Sequence, residues 1–229
     1  MLRLSLTPRA ALGAILGAAL LYGCASSRPE ASEEPVPSSN LLLGMAGRPL
    51  VVLPAQYLAT AGQSGSWDIS TDNAGLLPLL DEEIADALRK RGVRNWTYGR
   101  EITASAVRNA GLAGDPRQLA VAGIRRAKAG DTPLPEPLAS QIRGLVALTS
   151  ARFAVLPLET RVDTRGDERK GSLRVLLIDA RTARILWAED IAAESLRDPA
   201  IVREVMSPYG FRLLSRDLAS RFADMVVPQ

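Results

Sequence analysis

The chain has 229 residues, of which 47% are hydrophobic and 23% are charged, a composition typical of a globular protein and not of a disordered or fibrous one. The formal net charge is +3, and leaving out the two arginines of the first 23 residues leaves 26 basic against 25 acidic residues, a net of about +1. Nucleic-acid binding requires a concentrated basic face, so this balance predicts no nucleic-acid partner.

The residue types that most often carry catalysis are scarce. The chain has no histidine, which excludes Ser-His-Asp hydrolysis and the HExxH zinc site. Its single cysteine can form neither an intramolecular disulfide nor a thiolate cluster. Catalysis by a carboxylate pair remains open, although each acidic cluster is interleaved with arginine or sits where a helix end favours it. We therefore predict a protein that is not an enzyme, with no catalytic residue, no metal site and no cofactor.

Residues 1–23 have the three parts of an export signal. Arg3 and Arg9 form a positive start, Ala10–Leu21 is apolar, and Gly23 is a small residue at the end. The apolar run is about a dozen residues long, which is shorter than the roughly 20 needed to cross a bilayer. This length favours a cleaved signal peptide over an uncleaved transmembrane anchor.

The residues that end this run, Leu21-Tyr22-Gly23-Cys24, resemble the lipobox of bacterial lipoproteins. The resemblance implies cleavage after Gly23 and attachment of lipid such as palmitate to Cys24, which would anchor the chain in a bilayer. Ala25, which follows the cysteine in place of Asp, resembles the sorting signal for the outer membrane. The expected location is the periplasmic face of the outer membrane.

After the predicted signal peptide, the composition of the chain changes at residue 24 and again at residue 41. Residues 24–40 are mostly Ser, Pro and Glu and predict a flexible tether. Residues 41–229 are expected to form one α/β domain. In it, Arg48–Pro54 predicts a buried strand. The next stretch, Ala61–Asp72, predicts a loop, because its glycines lack the spacing of a phosphate-binding loop.

The middle of the chain is predicted to be mainly helical. Leu76–Arg91 predicts an amphipathic helix with acidic residues early and basic residues late. Val93–Tyr98 predicts a second strand. Two further helices are expected at Thr103–Ala110 and Asp115–Lys128, the second beginning with a favourable Asp-Pro pair. Together with a proline-rich connection they form a predicted helical insertion near 103–137.

The last third is predicted to contain a meander between helices. Its predicted helices are Leu138–Thr149, Ala200–Met206 and Tyr209–Met225. Its three predicted antiparallel strands are Phe153–Val162, Ser172–Asp179 and Ile185–Ala192. The resulting fold class is α/β (α+β), with a mixed sheet of about five strands and helices packed on it. The order is strand, helix, strand, helices, three-strand meander and helix.

Four stretches carry a resemblance to a known group: RPLVVLP (48–54), LLDEEIADALRKRG (79–92), FAVLPLETRV (153–162) and LLIDARTARILWAEDI (176–191). With the lipobox and tether, they resemble bacterial envelope lipoproteins that have a TolB amino-terminal-like α/β domain, the group of LpoB, PelC and CsgG. Asp179 and Trp187, on either side of a turn, look like the hydrophobic-Asp-turn-Trp element of that group. The resemblance covers roughly residues 48–225, and the 103–137 insertion departs from it.

The resemblance implies a non-enzymatic accessory or adaptor subunit of an envelope complex, such as a synthase, a transporter or a secretion machine. Its partner would be an envelope protein that the sequence does not identify. The alternative is a ring-forming structural component of a secretion or polysaccharide-export assembly, which would be a homo-oligomer. A pore is disfavoured, because the chain lacks paired segments of roughly ten alternating residues.

Candidate contact residues for a partner are tryptophans and basic side chains, which are favoured interface anchors. For the tryptophans a place in the core remains open, and for the basic residues a solvated helix face remains open. The candidates are Trp67, Trp96, Arg117, Arg125, Arg126 and Lys128.

Overall fold

In the computed structural model of the protein, the described part of the chain comprises residues 41–61, 67–69, 75–128, 130, 132–163, 170–194 and 205–228. All of these residues belong to one unit of the chain, Ser38–Gln229. The predicted signal peptide, cleavage site and tether lie outside the described residues. So do most of the predicted helix Ala200–Met206 and residues 164–169 of the first meander turn.

The described residues form eight strands and four α-helices. The strands are β1 (Leu50–Val52), β2 (Tyr57–Ala61), β3 (Trp67–Ile69), β4 (Trp96–Thr97), β5 (Thr132–Pro133), β6 (Phe153–Asp163), β7 (Lys170–Asp179) and β8 (Arg184–Ala192). The helices are α1 (Leu77–Lys90), α2 (Gly99–Arg108), α3 (Leu138–Ala147) and α4 (Pro208–Val226). Two short 3-10 helices occupy Leu43–Met45 and Val121–Ile124.

Strand β6 organises the sheet. One side of β6 pairs with β7 in an antiparallel ladder that continues to β8 and β5. Its other side pairs in parallel with β1 and then with β2, so these two short strands act as halves of one interrupted strand. The N–H groups of Leu53 and Gln56, in the interruption, still donate to the carbonyls of Val155 and Pro157. Beyond them, β4 joins β1 and β3 joins β2.

Helices cover both faces of this sheet. Leu50 and Val52 of β1 point to the face that packs against α1 and α4. Val51 and Leu53 point to the opposite face, which packs against α2 and α3. This alternation places consecutive residues in two separate cores. A strand buried on both faces is apolar at every position, which explains the continuous run of RPLVVLP.

The structure confirms the predicted α/β class, the mixed sheet and the antiparallel meander. Helices α1, α3 and α4 lie within two residues of their predicted bounds. The strand number was underestimated, because β2, β3 and β5 are short, and because β2 and β5 pair with strands distant in the sequence, β6 and β8. None of the helices in the described ranges is long and apolar enough to cross a bilayer.

Two predictions near the first strands were wrong in part. The stretch Ala61–Asp72 is not only a loop, since β3 lies inside it and pairs with the end of β2. The second predicted strand, Val93–Tyr98, shrinks to the two residues of β4. Helix α2 begins four residues before the predicted Thr103, because the Glu101 carboxylate accepts the Tyr98 N–H at 3.0 Å and caps its start.

The predicted helix Asp115–Lys128 is absent. Asp115 does accept the Arg117 N–H at 2.9 Å, but this contact closes only a turn. Further along, the N–H groups of the chain find side-chain acceptors from other elements instead of helical carbonyls. The Leu119 N–H donates to Gln56 at 3.1 Å, and the Ala120 N–H donates to Gln141 at 2.8 Å. Tertiary contacts therefore override the local helix signals in this segment.

Candidate functional site

The two tryptophan candidates have different positions. Trp67 lies in β3, opposite Ala61 of β2, and its side chain is outside the described part of the structure. Trp96 is only 3% exposed, and its indole N–H donates to the Met45 carbonyl at 3.3 Å. Trp96 therefore belongs to the core between the sheet and α1, and its ring is not available as a surface contact.

The four basic candidates do not share a helix face, because the predicted helix Asp115–Lys128 does not form. They divide between two grooves on the surface. Arg117 lies in a groove between α1 and α2, which we call the α1–α2 groove, with a volume of about 710 Å³. Arg125, Arg126 and Lys128 lie in a second groove of about 880 Å³.

The α1–α2 groove has a buried carboxylate in its floor. Asp81 of α1 accepts the Ala55 N–H at 2.8 Å and is 2.8 Å from an Arg117 guanidinium nitrogen. Burial is the largest influence and raises the pKa of Asp81, while the Ala55 N–H and Arg117 offset part of that effect. Asp81 therefore ties the β1–β2 interruption and the irregular segment after α2 to helix α1.

The rim of the same groove is held by aromatic and ionic contacts. The Arg89 guanidinium lies 4.5 Å from the centre of the Tyr98 ring and pairs with Glu101 at 2.8 Å. The Tyr98 hydroxyl donates to the Val93 carbonyl at 2.7 Å, and burial raises the pKa of Tyr98 to about 12. The phenol stays protonated near neutral pH, so this arrangement is suited to holding the helices together and not to proton transfer.

The second groove, which we call the arginine groove, is built on strands β6 and β7 with the segment 121–128 as its wall. Its lining includes one carboxylate, Glu159, among five cationic side chains. These are Arg125, Arg126, Lys128, Arg161 and Arg174. The strands bring together residues far apart in sequence, since Glu159 of β6 is in register with Arg174 of β7.

Glu159 is clamped between two guanidinium groups. The residue is 1% exposed; one carboxylate oxygen is 2.5 Å from Arg125 and the other is 2.9 Å from Arg161. Burial alone would raise the pKa of Glu159, but the two arginines outweigh burial and hold the pKa below its usual range. Glu159 is therefore ionised at neutral pH and serves as an internal anion, not as a proton acceptor.

The remaining cations of the arginine groove differ in how well they are neutralised. Arg174 pairs with Asp190 of β8 at 2.7 Å and also donates to the Ala127 carbonyl. Arg126 and Lys128 are exposed, and their side chains have no carboxylate partner within the described part of the chain. These two side chains are the least constrained charges of the groove.

The Asp-turn-Trp element that supported the resemblance is structural. Asp179 ends β7, pairs with Arg152 through both carboxylate oxygens, and accepts the Arg181 N–H at 2.9 Å. Trp187 is 2% exposed and lies in the core beneath α4. The element closes the β7–β8 turn and buries an indole, so it positions the meander. Among the described residues no group of three acidic, histidine or cysteine side chains could hold a metal ion.

Asp81, Glu159, Arg161 and Arg174 are not among the site residues predicted from the sequence. Glu159 had a usable signal in the sequence, because it directly follows the apolar run that forms strand β6. A glutamate buried in such a strand needs a cationic or hydrogen-bonding partner. Arg161 shares a face with Arg174 only because a β-bulge between Pro157 and Glu159 shifts the alternation of β6, and the sequence pattern does not show this bulge. Their meeting with Arg125 was not visible, since it depends on how the segment 121–128 folds over the sheet.

Comparisons with known proteins give structural likenesses only. No family model matches the chain, and no curated protein matches its sequence. Among solved structures, the LpoB C-terminal domain from Salmonella enterica has a TM-score of 0.35 and 14% identity, covering 64% of this chain and 82% of that one. A PelC dodecamer from Paraburkholderia phytofirmans has a TM-score of 0.34 and 14% identity, covering 77% and 89%.

A third likeness is the hypothetical protein CT253 from Chlamydia trachomatis, with a TM-score of 0.35 and 14% identity, covering 80% of this chain and 99% of that one. LpoB and PelC are members of the group that the sequence resembles. Similarity at this level is too low for a function to be transferred. The fold assignment rests on the strand pairing and the helices of this protein alone.

Proposed function

We propose that the protein is a non-enzymatic lipoprotein, anchored through acylated Cys24, that serves as an accessory subunit of a cell-envelope complex by contacting another envelope protein. The lipobox-like residues and the polar tether of 24–40 support the anchor. On the domain, the observation that supports a protein contact is a pair of exposed apolar side chains at the end of α2. Val107 is 74% exposed and Leu112 is 75% exposed.

These two residues lie in the stretch that departs from the resembling group. Val107 also lines an apolar groove of about 380 Å³ between α2 and the turn at Asp115–Arg117. Exposed apolar side chains beside a concave surface are the kind of feature that protein interfaces bury. An adaptor on a tether would present such a surface to a partner in the same membrane.

The test is a cross-linked pull-down of the native lipoprotein, with bound proteins identified by mass spectrometry. We expect one defined envelope protein, recovered from wild type and lost from a Val107→Ser/Leu112→Ser variant and from Cys24→Ala. The matched control is Tyr209→Ser, which removes another exposed apolar side chain, 70% exposed, at the start of α4.

Two results would contradict the proposal. Loss of the partner in the Tyr209 control to the same extent would show that the α2 surface is not the contact. Recovery of the protein alone, as a ladder of homo-oligomers, would favour the ring-forming assembly instead.

A further inference from the structure

We infer that the arginine groove binds a phosphate group. The inference is independent of the proposed function, because it concerns a different surface and a different ligand. The groove combines excess positive charge, unpaired cations and guanidinium donors on a rigid sheet. Each of these features is visible in the contacts of the described residues.

The arginine groove carries an excess of positive charge. Five cationic side chains line the groove, and the carboxylates placed against them within the described part of the chain are Glu159 and Asp190, so these charges sum to +3. Asp163 ends the same strand two residues after Arg161, and counting it as well gives +2. A concave surface with this excess of one sign concentrates ions of the opposite sign.

Two of the arginines lie on the sheet, where the apolar face ends. On the face covered by α2 and α3, the apolar side chains of β6 and β7 end at Leu158 and Leu176. Beyond them, the same face carries Arg161 and Arg174, so the floor of the groove is charged where the helical layer stops. Side chains fixed on paired strands are preorganised, which lowers the entropic cost of binding a ligand.

The groove has cationic donors beyond those that contact Glu159. Glu159 shows that Arg125 and Arg161 already bind one oxyanion within this groove. The Nε–H groups of Arg125 and Arg174 are buried and have no hydrogen-bond acceptor in the described structure. Arg126 and Lys128 are exposed and have no carboxylate partner among the described residues, so their donors are the ones that an incoming anion reaches first.

The ligand that fits best is a phosphate ester or diphosphate. A phosphoryl group carries up to two negative charges and three acceptor oxygens, which matches an excess of two to three cations. Guanidinium groups bind phosphate in a planar, bidentate manner, and lysine adds a mobile point charge. Either a soluble phosphorylated compound or the headgroup of an anionic phospholipid supplies this chemistry.

The experiment measures binding of inorganic pyrophosphate to the full-length protein in a neutral detergent, by calorimetry at constant ionic strength. The groove variant is Arg126→Gln/Lys128→Gln, and the matched control is Arg94→Gln/Arg108→Gln. The control removes the same charge from two exposed arginines that do not line the groove. We expect the groove variant to bind at least about tenfold more weakly than wild type, while the control is unchanged.

Both groove substitutions are at exposed positions, so the fold should persist, and the unfolding temperature checks this. If the double variant is unfolded, Arg126→Gln alone gives the same test. To distinguish the two sources, the protein is placed in nanodiscs of phosphatidylcholine with or without phosphatidylglycerol. Weaker pyrophosphate binding only in the anionic discs identifies a lipid headgroup, and equal binding in both identifies a soluble ligand.

Three results would overturn the inference. They are the absence of pyrophosphate binding to wild type, equal weakening in the groove variant and the control, and binding of polyglutamate in preference to pyrophosphate. The last result would assign the groove to an acidic peptide.

Discussion

At the scale of single residues, two buried aspartates show how partners decide protonation. Burial dominates at Asp81, so its pKa is raised, and one backbone N–H with Arg117 offsets only part of the effect. At Asp179, burial also favours the neutral form, but Arg152 and the backbone N–H groups of the turn outweigh it and lower the pKa. The difference follows from the balance at each site between burial, which raises the pKa, and the donors, which lower it.

This difference predicts opposite pH dependence for Asp81→Asn and Asp179→Asn. The folded pKa of Asp179 lies below its ordinary value of 3.8, so its ionised form stabilises the fold above that pH and the gain is lost as pH falls. The folded pKa of Asp81 lies above 3.8, so its protonated form contributes stability that is lost as pH rises through the folded pKa.

The measurement is urea unfolding of wild type and both variants over a series of acidic to neutral pH values. As pH rises, the free energy of unfolding of wild type should increase relative to that of Asp179→Asn. Over the same range it should decrease relative to that of Asp81→Asn. The same sign of slope for both pairs would show that the two carboxylates do not differ in this way.

At the scale of elements, α1 and α4 form the layer that closes one face of the sheet. Leu214 and Leu218 of α4 are fully buried in the same core as Leu80 and Leu88 of α1. At the rim of this contact, Arg212 reaches Glu82 at 2.8 Å and Glu83 at 3.2 Å. Glu83 is largely buried, whereas the Arg212–Glu82 pair is exposed and adds little free energy, so most of the stability of this layer comes from the apolar contact.

We predict that Leu218→Ala lowers the free energy of unfolding by about 2–5 kcal/mol, because the removed side chain leaves a cavity in a packed interface. On the same helix, Ser220→Ala should change it by less than about 0.5 kcal/mol, since Ser220 is partly exposed. Thermal and urea unfolding both measure the difference. A Leu218 variant as stable as the Ser220 variant would show that α4 is not part of the cooperative core.

At the scale of the whole molecule, the central prediction is a folded domain behind a polar tether. The tether is a prediction from the composition of residues 24–40, which are mostly Ser, Pro and Glu. A segment of that composition is expected to be more open to protease than a packed domain. A domain with its own core on both faces of a sheet should be stable without the segment before it.

Limited digestion with a glutamate-specific protease tests this organisation. Cleavage is expected first at Glu30, Glu33 or Glu34 in the tether, leaving a fragment with the unfolding temperature of the intact protein. Glu82 and Glu101 are surface residues but lie in helices, so they provide internal controls. Early cleavage at either helical site, or a lower unfolding temperature of the fragment, would contradict the predicted boundary.

The sequence by itself determined the elements whose signals are local. Helices α1, α3 and α4 have apolar residues at helical spacing, and the meander has long apolar strands joined by polar turns. Such patterns act over a few neighbouring residues, so the chain carries them without reference to the fold. The α/β class and the candidate anchor at Cys24 also came from patterns of this kind.

Tertiary structure alone decided the segment 115–128 and the arginine groove. Gln56 and Gln141 take the N–H groups that a helix would have used, although they are far away in the sequence. Likewise, Arg125 meets Glu159 across 34 positions, and strand register places Arg174 beside them. Contacts of this range depend on the packing of the whole sheet and its layers, which no local pattern encodes.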